Sequence, residues 1–272
     1  MEIFYLKLFL GGLLLSLLLA VYSFVVYFFR LAFLGIAVSH AVLAGLALGI
    51  YFKIDPTLSA LLFSLLVGWF IAFLKRKTGL TEDASIGIVL ALSMAAGVIL
   101  IYLSGYQGNL LSYLFGSILT ISWTDIGALF ILLILTAVFF SKNLEKILFL
   151  CFDEETAYSS GIRTSLLYYT LVGFLSLLIT YTAKLVGIIL THAMLVLPAA
   201  AAYQIVWHYK GLFLLSGVFS TLSTFGGIAL AYFWDLPAGP TIILVGGFLF
   251  FLASLIGKIK VKLGRKLRGG NR

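Results

Sequence analysis

The sequence has little charge, four prolines and a single cysteine. Of its 272 residues only 10% are charged, and the cysteine is Cys151. One cysteine excludes an internal disulfide and a cysteine-based metal cluster within the chain. Because 62% of the residues are hydrophobic, the chain has too little polar surface to cover a soluble globule. The composition therefore indicates a membrane protein.

Several sequence motifs of enzymes are also absent. No GxxxxGK[ST] occurs, so the chain has no P-loop and we expect it not to hydrolyse ATP by itself. HExxH and GxSxG are missing as well. His40 and His192 are each followed by alanine instead of the glutamate of HExxH. These absences argue against an intramembrane enzyme. No basic patch with interleaved aromatic residues indicates a nucleic-acid partner.

What the sequence does contain is a series of apolar segments. About 20 apolar residues cross a bilayer, and nine segments approach that length. Because only Arg30 separates the first two, and the sixth is short, eight spans is the alternative. We predict an all-α, polytopic bundle of eight to nine transmembrane helices, with residues 1–257 as a single transmembrane domain. The segments are Leu8–Phe29, Leu31–Phe52, Leu58–Leu74, Ala84–Ser104, Trp123–Phe140, Ser165–Tyr181, Leu185–Trp207, Gly211–Tyr232 and Thr241–Ile256.

Small residues recur every fourth position in two of these segments. The second segment carries a stripe of alanine and glycine that ends at Gly45 and Gly49, and the fourth carries Gly87, Ala91 and Ala95. Such stripes let helix backbones approach closely in lipid. They predict tight helix packing and say nothing about a substrate.

The basic residues favour one orientation in the membrane. Lysine and arginine are retained in cytoplasmic loops, and the tail 258–272 is rich in both, so we place it inside. With nine spans, 15 of the 18 basic residues lie on that side, and Lys7, Lys53 and Lys184 lie outside. We predict a multi-pass cell-membrane protein with a cytoplasmic C-terminus. Its net charge of +8 faces anionic lipid.

Two histidines lie inside apolar spans, where an imidazole must face protein or water. His40 is about nine residues from the inner end of its span, and His192 about seven from the outer end of its own. At about 1.5 Å per residue the two differ in height by less than about 10 Å, close enough to line one hydrated path. Imidazole suits zinc, manganese, iron or copper. A hydrogen bond to a neighbouring helix is the alternative for each histidine.

Acidic residues border the spans. Asp83, next to Glu82, begins the fourth span, where helix capping is the alternative to a role at the inner end of an ion path. Asp235 lies in an external turn rich in proline and glycine, and Asp55 in another external turn. We place both near the external mouth, with turn formation as the alternative for Asp235.

Residues Leu148–Thr164 form the one polar passage long enough to act in the cytoplasm. Asp153 can cap a short helix that has Glu154 and Glu155 in its first turn and Gly161 as its stop. A helix of about eight residues is marginal in water, so it needs a surface to dock against. A solvated connecting loop is the alternative.

Six motifs carry a resemblance to a known family. In chain order they are SHAVLAG, EDASIGI, LLSYLFGSILTIS, FDEETAYSSGI, LVGIILTHAMLVLPAAAA and FWDLPAGPTIILV. This series resembles the integral-membrane permease subunits of ATP-binding-cassette importers for zinc, manganese and iron(II). Each motif is weak alone, but together they cover nearly the whole chain in the family's order.

The resemblance implies a permease that receives metal from an extracytoplasmic binding protein and moves it by alternating access. Two copies would form the pore, two cytoplasmic ATPases would use the ATP, and this chain would bind no cofactor. Residues 153–161 would be the coupling helix that docks on the ATPase, with Ala157 and Gly161 at its small positions. The resemblance also favours His40 and Asp83 as ion-path residues.

His192 departs from the family, which often has a small or apolar residue at that position. A role in ion choice and a bond between helices both remain open for it. Pro198 matches the family, and a proline in a membrane helix frees a carbonyl and permits a kink. The remaining alternatives are a permease of the siderophore or vitamin type and a secondary transporter, which would leave the FDEETAYSSGI segment without a purpose.

Overall fold

A computed structural model of the protein describes residues 2–105, 116 and 118–269. Nine helices in these residues are long and apolar enough to cross a membrane, which confirms the predicted bundle at its higher count. Part of the LLSYLFGSILTIS motif, residues 110–115 and 117, lies outside the described residues. The spanning helices are α1 (Glu2–Phe28), α2 (Ala32–Phe52), α3 (Pro56–Lys77), α4 (Glu82–Ser104), α5 (Trp123–Phe152), α7 (Thr164–Val186), α8 (Ile188–Ile205), α9 (Tyr209–Trp234) and α10 (Ala238–Gly269), while α6 (Glu154–Ser159) is short.

Contacts between helices show how they are directed. The Ser23 hydroxyl accepts a hydrogen bond from the Ala199 N–H at 3.0 Å, and one turn later Tyr27 packs on Tyr203. Because the two contacts are four residues apart on both helices, α1 and α8 run parallel, as expected for the first and seventh of a series of alternating spans. The links after α1, α3 and α8, together with α6 and the end of α10, therefore lie on one membrane face. We call it the basic face, and the other the opposite face.

Helix α5 is longer than predicted. It was expected to end at Phe140 but continues to Phe152. The charged residues at 142–146 do not stop it because Ile147 and Leu150 remain buried and extend its packed side. The end of α5 thereby delivers the chain directly to α6.

Two other boundaries were misplaced. The predicted seventh span began at Leu185, whereas α7 runs to Val186 and α8 starts at Ile188. Gly187 between them has φ +89°, a backbone angle that side-chain-bearing residues rarely adopt. The second boundary is the start of α4, which was predicted at Ala84 but lies at Glu82. Thr81 caps the helix there, because its hydroxyl accepts a hydrogen bond from the Ala84 N–H at 3.3 Å.

The backbones of α2 and α3 pack closely along their hairpin. A Cβ added to Gly45 would lie 2.6 Å from the Ala60 Cα, and one added to Gly49 would lie 2.6 Å from the Pro56 Cα. Only glycine permits this approach, so the stripe predicted on α2 does pack as expected.

The stripe predicted on α4 behaves differently. Gly87, Ala91 and Ala95 are exposed in this chain, so the expectation that they pack helices within the bundle is wrong. Gly97 makes the close contact from α4, since its added Cβ would lie 3.1 Å from the Ala44 Cα. Small size alone therefore did not identify which side of α4 faces α2.

We expect Gly45→Ala to destabilise the protein, because the new methyl group would meet the α3 backbone rather than a flexible side chain. Overpacking of this kind costs roughly 1–3 kcal/mol, which should lower the thermal unfolding midpoint in detergent. Gly87→Ala is the matched control, because nothing lies within 4 Å of a Cβ at that position. Equal midpoints for the two variants would contradict the packing described here.

Candidate functional site

The structure brings the two predicted histidines together. His40 on α2 and His192 on α8 lie close enough for their imidazoles to interact electrostatically. Gly35 on α2 allows the approach, since a Cβ there would lie 3.3 Å from the His192 Nδ1 atom. The Nδ1 atoms of both histidines are buried without a hydrogen-bond partner. We call these two residues the histidine pair.

Each histidine follows a buried hydroxyl residue that the sequence analysis missed. Ser39 and Thr191 are both 0% exposed, and their hydroxyl oxygens have no hydrogen-bond partner. Within the described residues, five buried side-chain nitrogen or oxygen atoms have no hydrogen-bond partner, and four of them belong to the Ser39-His40 and Thr191-His192 dipeptides. The signal was available in the sequence, as a hydroxyl residue before each intramembrane histidine.

Several other buried hydroxyls in the bundle bond to their own helix, although that of Thr224 has no partner. Ser176 and Thr182, for example, each donate to the carbonyl oxygen four residues earlier, at 2.9 and 2.8 Å. A buried polar group left without a partner costs about 1–3 kcal/mol. The unpartnered atoms of His40, His192 and the two hydroxyl residues before them therefore make this part of α2 and α8 a candidate site.

Asp83, the third predicted metal ligand, lies elsewhere. It is exposed in the first turn of α4, at the basic face. In the part of the chain that the structure describes, no three His, Cys, Asp or Glu residues are grouped closely enough to hold a metal ion. Thr81 and not Asp83 is the N-cap of α4, while Asp83 lies in the first turn, where an acid suits the helix dipole.

The short helix α6 forms where the polar passage predicted one. The Asp153 carboxylate accepts from the Thr156 N–H at 3.0 Å and from its hydroxyl, and the hydroxyl bond holds the pKa of Asp153 below its usual value. Gly161, with φ +83°, ends the helix, and the following Ile162 N–H donates to the Ala157 carbonyl. The helix proper has six residues, two fewer than expected, because residues 153, 160 and 161 serve as its caps.

The side chains of α6 face in different directions. Ala157 is 0% exposed, so it packs against its own chain and is not available for contact with a partner. Glu154 bonds to Arg76 of α3 at 2.5 Å. Glu155 is exposed, and Tyr158 is 72% exposed. These last two residues are part of the outward surface of α6.

The remaining predicted residues have clear structural roles. Asp55 caps α3 by accepting from the Leu58 N–H at 2.7 Å, and Asp235 ends α9 in the left-handed conformation with φ +52°. Pro198 lies inside α8, whose helix continues through it. The next backbone N–H, that of Ala199, bonds to Ser23 of α1 and so braces this turn of α8.

A polar cluster near the opposite face was not predicted. Asp125, in the first turn of α5, accepts a hydrogen bond from the Tyr181 hydroxyl at 3.0 Å and lies 3.7 Å from the Lys184 ammonium nitrogen. It also completes a capping box with Ser122. The S-x-x-D pattern was visible in the sequence, whereas the link to α7 depends on the fold. The cluster fixes the start of α5 to the end of α7.

Comparison with known proteins places this arrangement in a family. A chain in the solved structure of PsaBC from Streptococcus pneumoniae in complex with Fab superposes with a TM-score of 0.79, at 27% identity, over 92% of this chain and 90% of its own. The ABC 3 transport family matches residues 1–257. The chain belongs to the ABC 3 transport family.

Two relatives of this ABC 3 family member illustrate its similarity to characterised systems. The manganese import system permease protein ScaB of Streptococcus gordonii is 31% identical over 242 residues, 88% of this chain and 86% of its own. The high-affinity zinc uptake system membrane protein ZnuB of Haemophilus influenzae is 29% identical over 248 residues, 90% of this chain and 94% of its own. The family membership confirms the resemblance seen in the motifs.

For α6 of this ABC 3 family member, we expect Asp153→Ala to cause fraying of the helix, because the first-turn Thr156 N–H loses its side-chain acceptor. Amide hydrogens of Glu154–Ser159 should exchange faster with solvent, as measured by mass spectrometry at neutral pH. Asp153→Asn is the control, since asparagine also caps helices well.

The same cap predicts a pH dependence. Because the pKa of Asp153 is lowered in the folded protein, the carboxylate cap is fully present at neutral pH and is lost as the pH falls through that lowered pKa. Exchange that is equally slow in wild type and Asp153→Ala would contradict the capping role.

Proposed function

We propose that this chain is the permease subunit of an ATP-driven importer that moves a divalent transition-metal ion, zinc, manganese or iron(II), into the cytoplasm. The observation that carries the proposal is the histidine pair, two half-buried imidazoles on α2 and α8 whose Nδ1 atoms are buried and without a hydrogen-bond partner. A polar site of this kind inside an apolar bundle is costly unless it serves an ion or water path. The metal named for each of the two relatives supports a metal ion over a siderophore or vitamin.

The proposed path runs between the two membrane faces. An extracytoplasmic binding protein releases the ion at the opposite face, near Asp55 and Asp235. The ion then passes His192 and His40 between two copies of the chain and leaves near Asp83. Alternating access opens one end at a time, and the turn of α8 that contains Pro198 is a position where its wall can bend.

The energy comes from a partner. The chain has no P-loop, so a cytoplasmic ATP-binding-cassette ATPase must bind and hydrolyse the ATP. We place this ATPase against α6, whose exposed Glu155 and Tyr158 provide the contact. The basic face is then cytoplasmic, in agreement with the excess of lysine and arginine there, and so is the C-terminus.

Reconstitution tests the whole proposal. Lipid vesicles that contain this chain, its ATPase and its binding protein should take up radioactive zinc or manganese only when ATP is present on the side of the ATPase. Uptake that proceeds equally well without ATP would instead indicate a secondary transporter. ATP-driven uptake of a siderophore and none of a free ion would favour the bulky-substrate alternative.

In these vesicles we expect His40→Ala and His192→Ala each to lower the initial rate of metal uptake by at least about tenfold, in line with the cost of losing groups that hold a metal. Co-purification of the ATPase should not change, because both residues lie within the bundle, away from α6. His208→Ala is the matched control, since His208 precedes α9 on the basic face. Normal uptake by either variant would remove that histidine from the path.

The ATPase contact is tested by reversing one charge. We expect Glu155→Lys to weaken co-purification of the ATPase, because Glu155 is exposed on the outward surface of α6. Glu145→Lys makes the same change on an exposed position of α5 and should leave co-purification intact. Undiminished assembly of the Glu155→Lys variant would count against α6 as the docking element.

A further inference from the structure

A direct side-chain link joins α6 to the end of α3. The Arg76 Nη2 atom lies 2.5 Å from the Glu154 carboxylate, and its Nη1 atom donates to the Ser165 hydroxyl of α7 at 2.9 Å. The guanidinium also lies over the Tyr168 ring of α7, 4.9 Å from its centroid. One side chain of α3 thus holds both the start of α6 and the start of α7.

This link uses the planar shape of the arginine side chain. Its two terminal nitrogens bind different partners while the guanidinium lies over an aromatic ring, and a lysine has only one terminal nitrogen to offer these partners. The Arg76 side chain is only 17% exposed, whereas that of Glu154 is 51% exposed. A partly exposed ion pair contributes little to overall stability, so its geometry is better suited to fixing the position of α6.

Helix α3, which carries Arg76, also packs against α2, which carries His40. At its other end α3 packs backbone to backbone against α2, where Gly45 approaches Ala60 and Gly49 approaches Pro56. Helix α2 carries His40. Since closely packed helices shift together rather than deform, a displacement of Arg76 is passed through α3 to α2.

We infer that Arg76 is a positioning residue that transmits movement of α6 to α3 and so to the helix that carries His40. This inference rests on the proposed function, in which α6 follows the ATPase. It separates the two neighbouring acids of α6: Glu155 contacts the ATPase, while Glu154, although half exposed, holds Arg76. Loss of the link should leave the ATPase bound and working but should disconnect ATP hydrolysis from uptake.

The test measures metal ions taken up per ATP hydrolysed in the reconstituted vesicles. Arg76→Glu and Glu154→Arg each place like charges together, and we expect each to lower this ratio at least about fivefold, the lower range of coupling between sites. The double exchange of Arg76→Glu with Glu154→Arg restores an ion pair and should give a higher ratio than either single change. The ATPase should co-purify with all three variants.

Two milder variants keep the test independent of folding. Arg76→Lys retains the charge and should still lower the ratio, because lysine cannot bind Glu154 and Ser165 while stacking on Tyr168. Lys77→Gln is the control, an exposed neighbour on the same turn of α3, and should behave as wild type. Thermal unfolding midpoints near that of wild type would show that both variants are folded.

Each outcome has a separate meaning. A wild-type ratio in Arg76→Lys and Glu154→Arg would overturn the inference while leaving the proposed function in place. Loss of the ATPase from Glu154→Arg alone would also overturn it, by making Glu154 a docking residue. Failure of the wild-type vesicles to couple ATP to uptake would remove the proposed function, and the inference with it.

Discussion

The structure depends on one constraint, that polar groups inside an apolar bundle must find partners within the protein. The backbone meets this constraint by forming helices, and buried hydroxyls such as Ser176 and Thr182 meet it by bonding to a carbonyl of the preceding turn. Within the described residues the constraint is not met at Thr224, at the Nδ1 atoms of the histidine pair and at the hydroxyls that precede each histidine. Four of these five atoms belong to the two positions where a histidine lies inside a spanning helix, which is why the histidine pair is the candidate site.

The helix ends at the two membrane faces are held by contacts of different kinds. Near the opposite face, the Asp125 cluster and the α2–α3 hairpin hold helix ends together through partly buried polar contacts and through backbone contact. At the basic face, α6 is a six-residue helix that depends on its caps and on one partly exposed ion pair. A short helix held this lightly can follow an external partner, while the tightly packed α2 and α3 carry the movement inward as one unit.

Local patterns allowed much of the fold to be predicted. Nine spans follow from apolar length, and both ends of α6 follow from Asp153 and Gly161, because capping depends on residues only a few positions apart. What could not be predicted depends on contacts between distant segments. The burial of Ala157 and the pairing of Glu154 with Arg76 arise only when α3, α6 and α7 meet. The same reason explains α4, where the small residues that looked suitable for packing are exposed and Gly97 makes the contact.

The composition of the histidine pair also bears on how the proposed path handles its ion. Two imidazoles provide fewer ligands than the four of a structural zinc site, and no third His, Cys, Asp or Glu joins them among the described residues. Strong binding would oppose release, since an ion path needs sites that are favourable to enter and easy to leave.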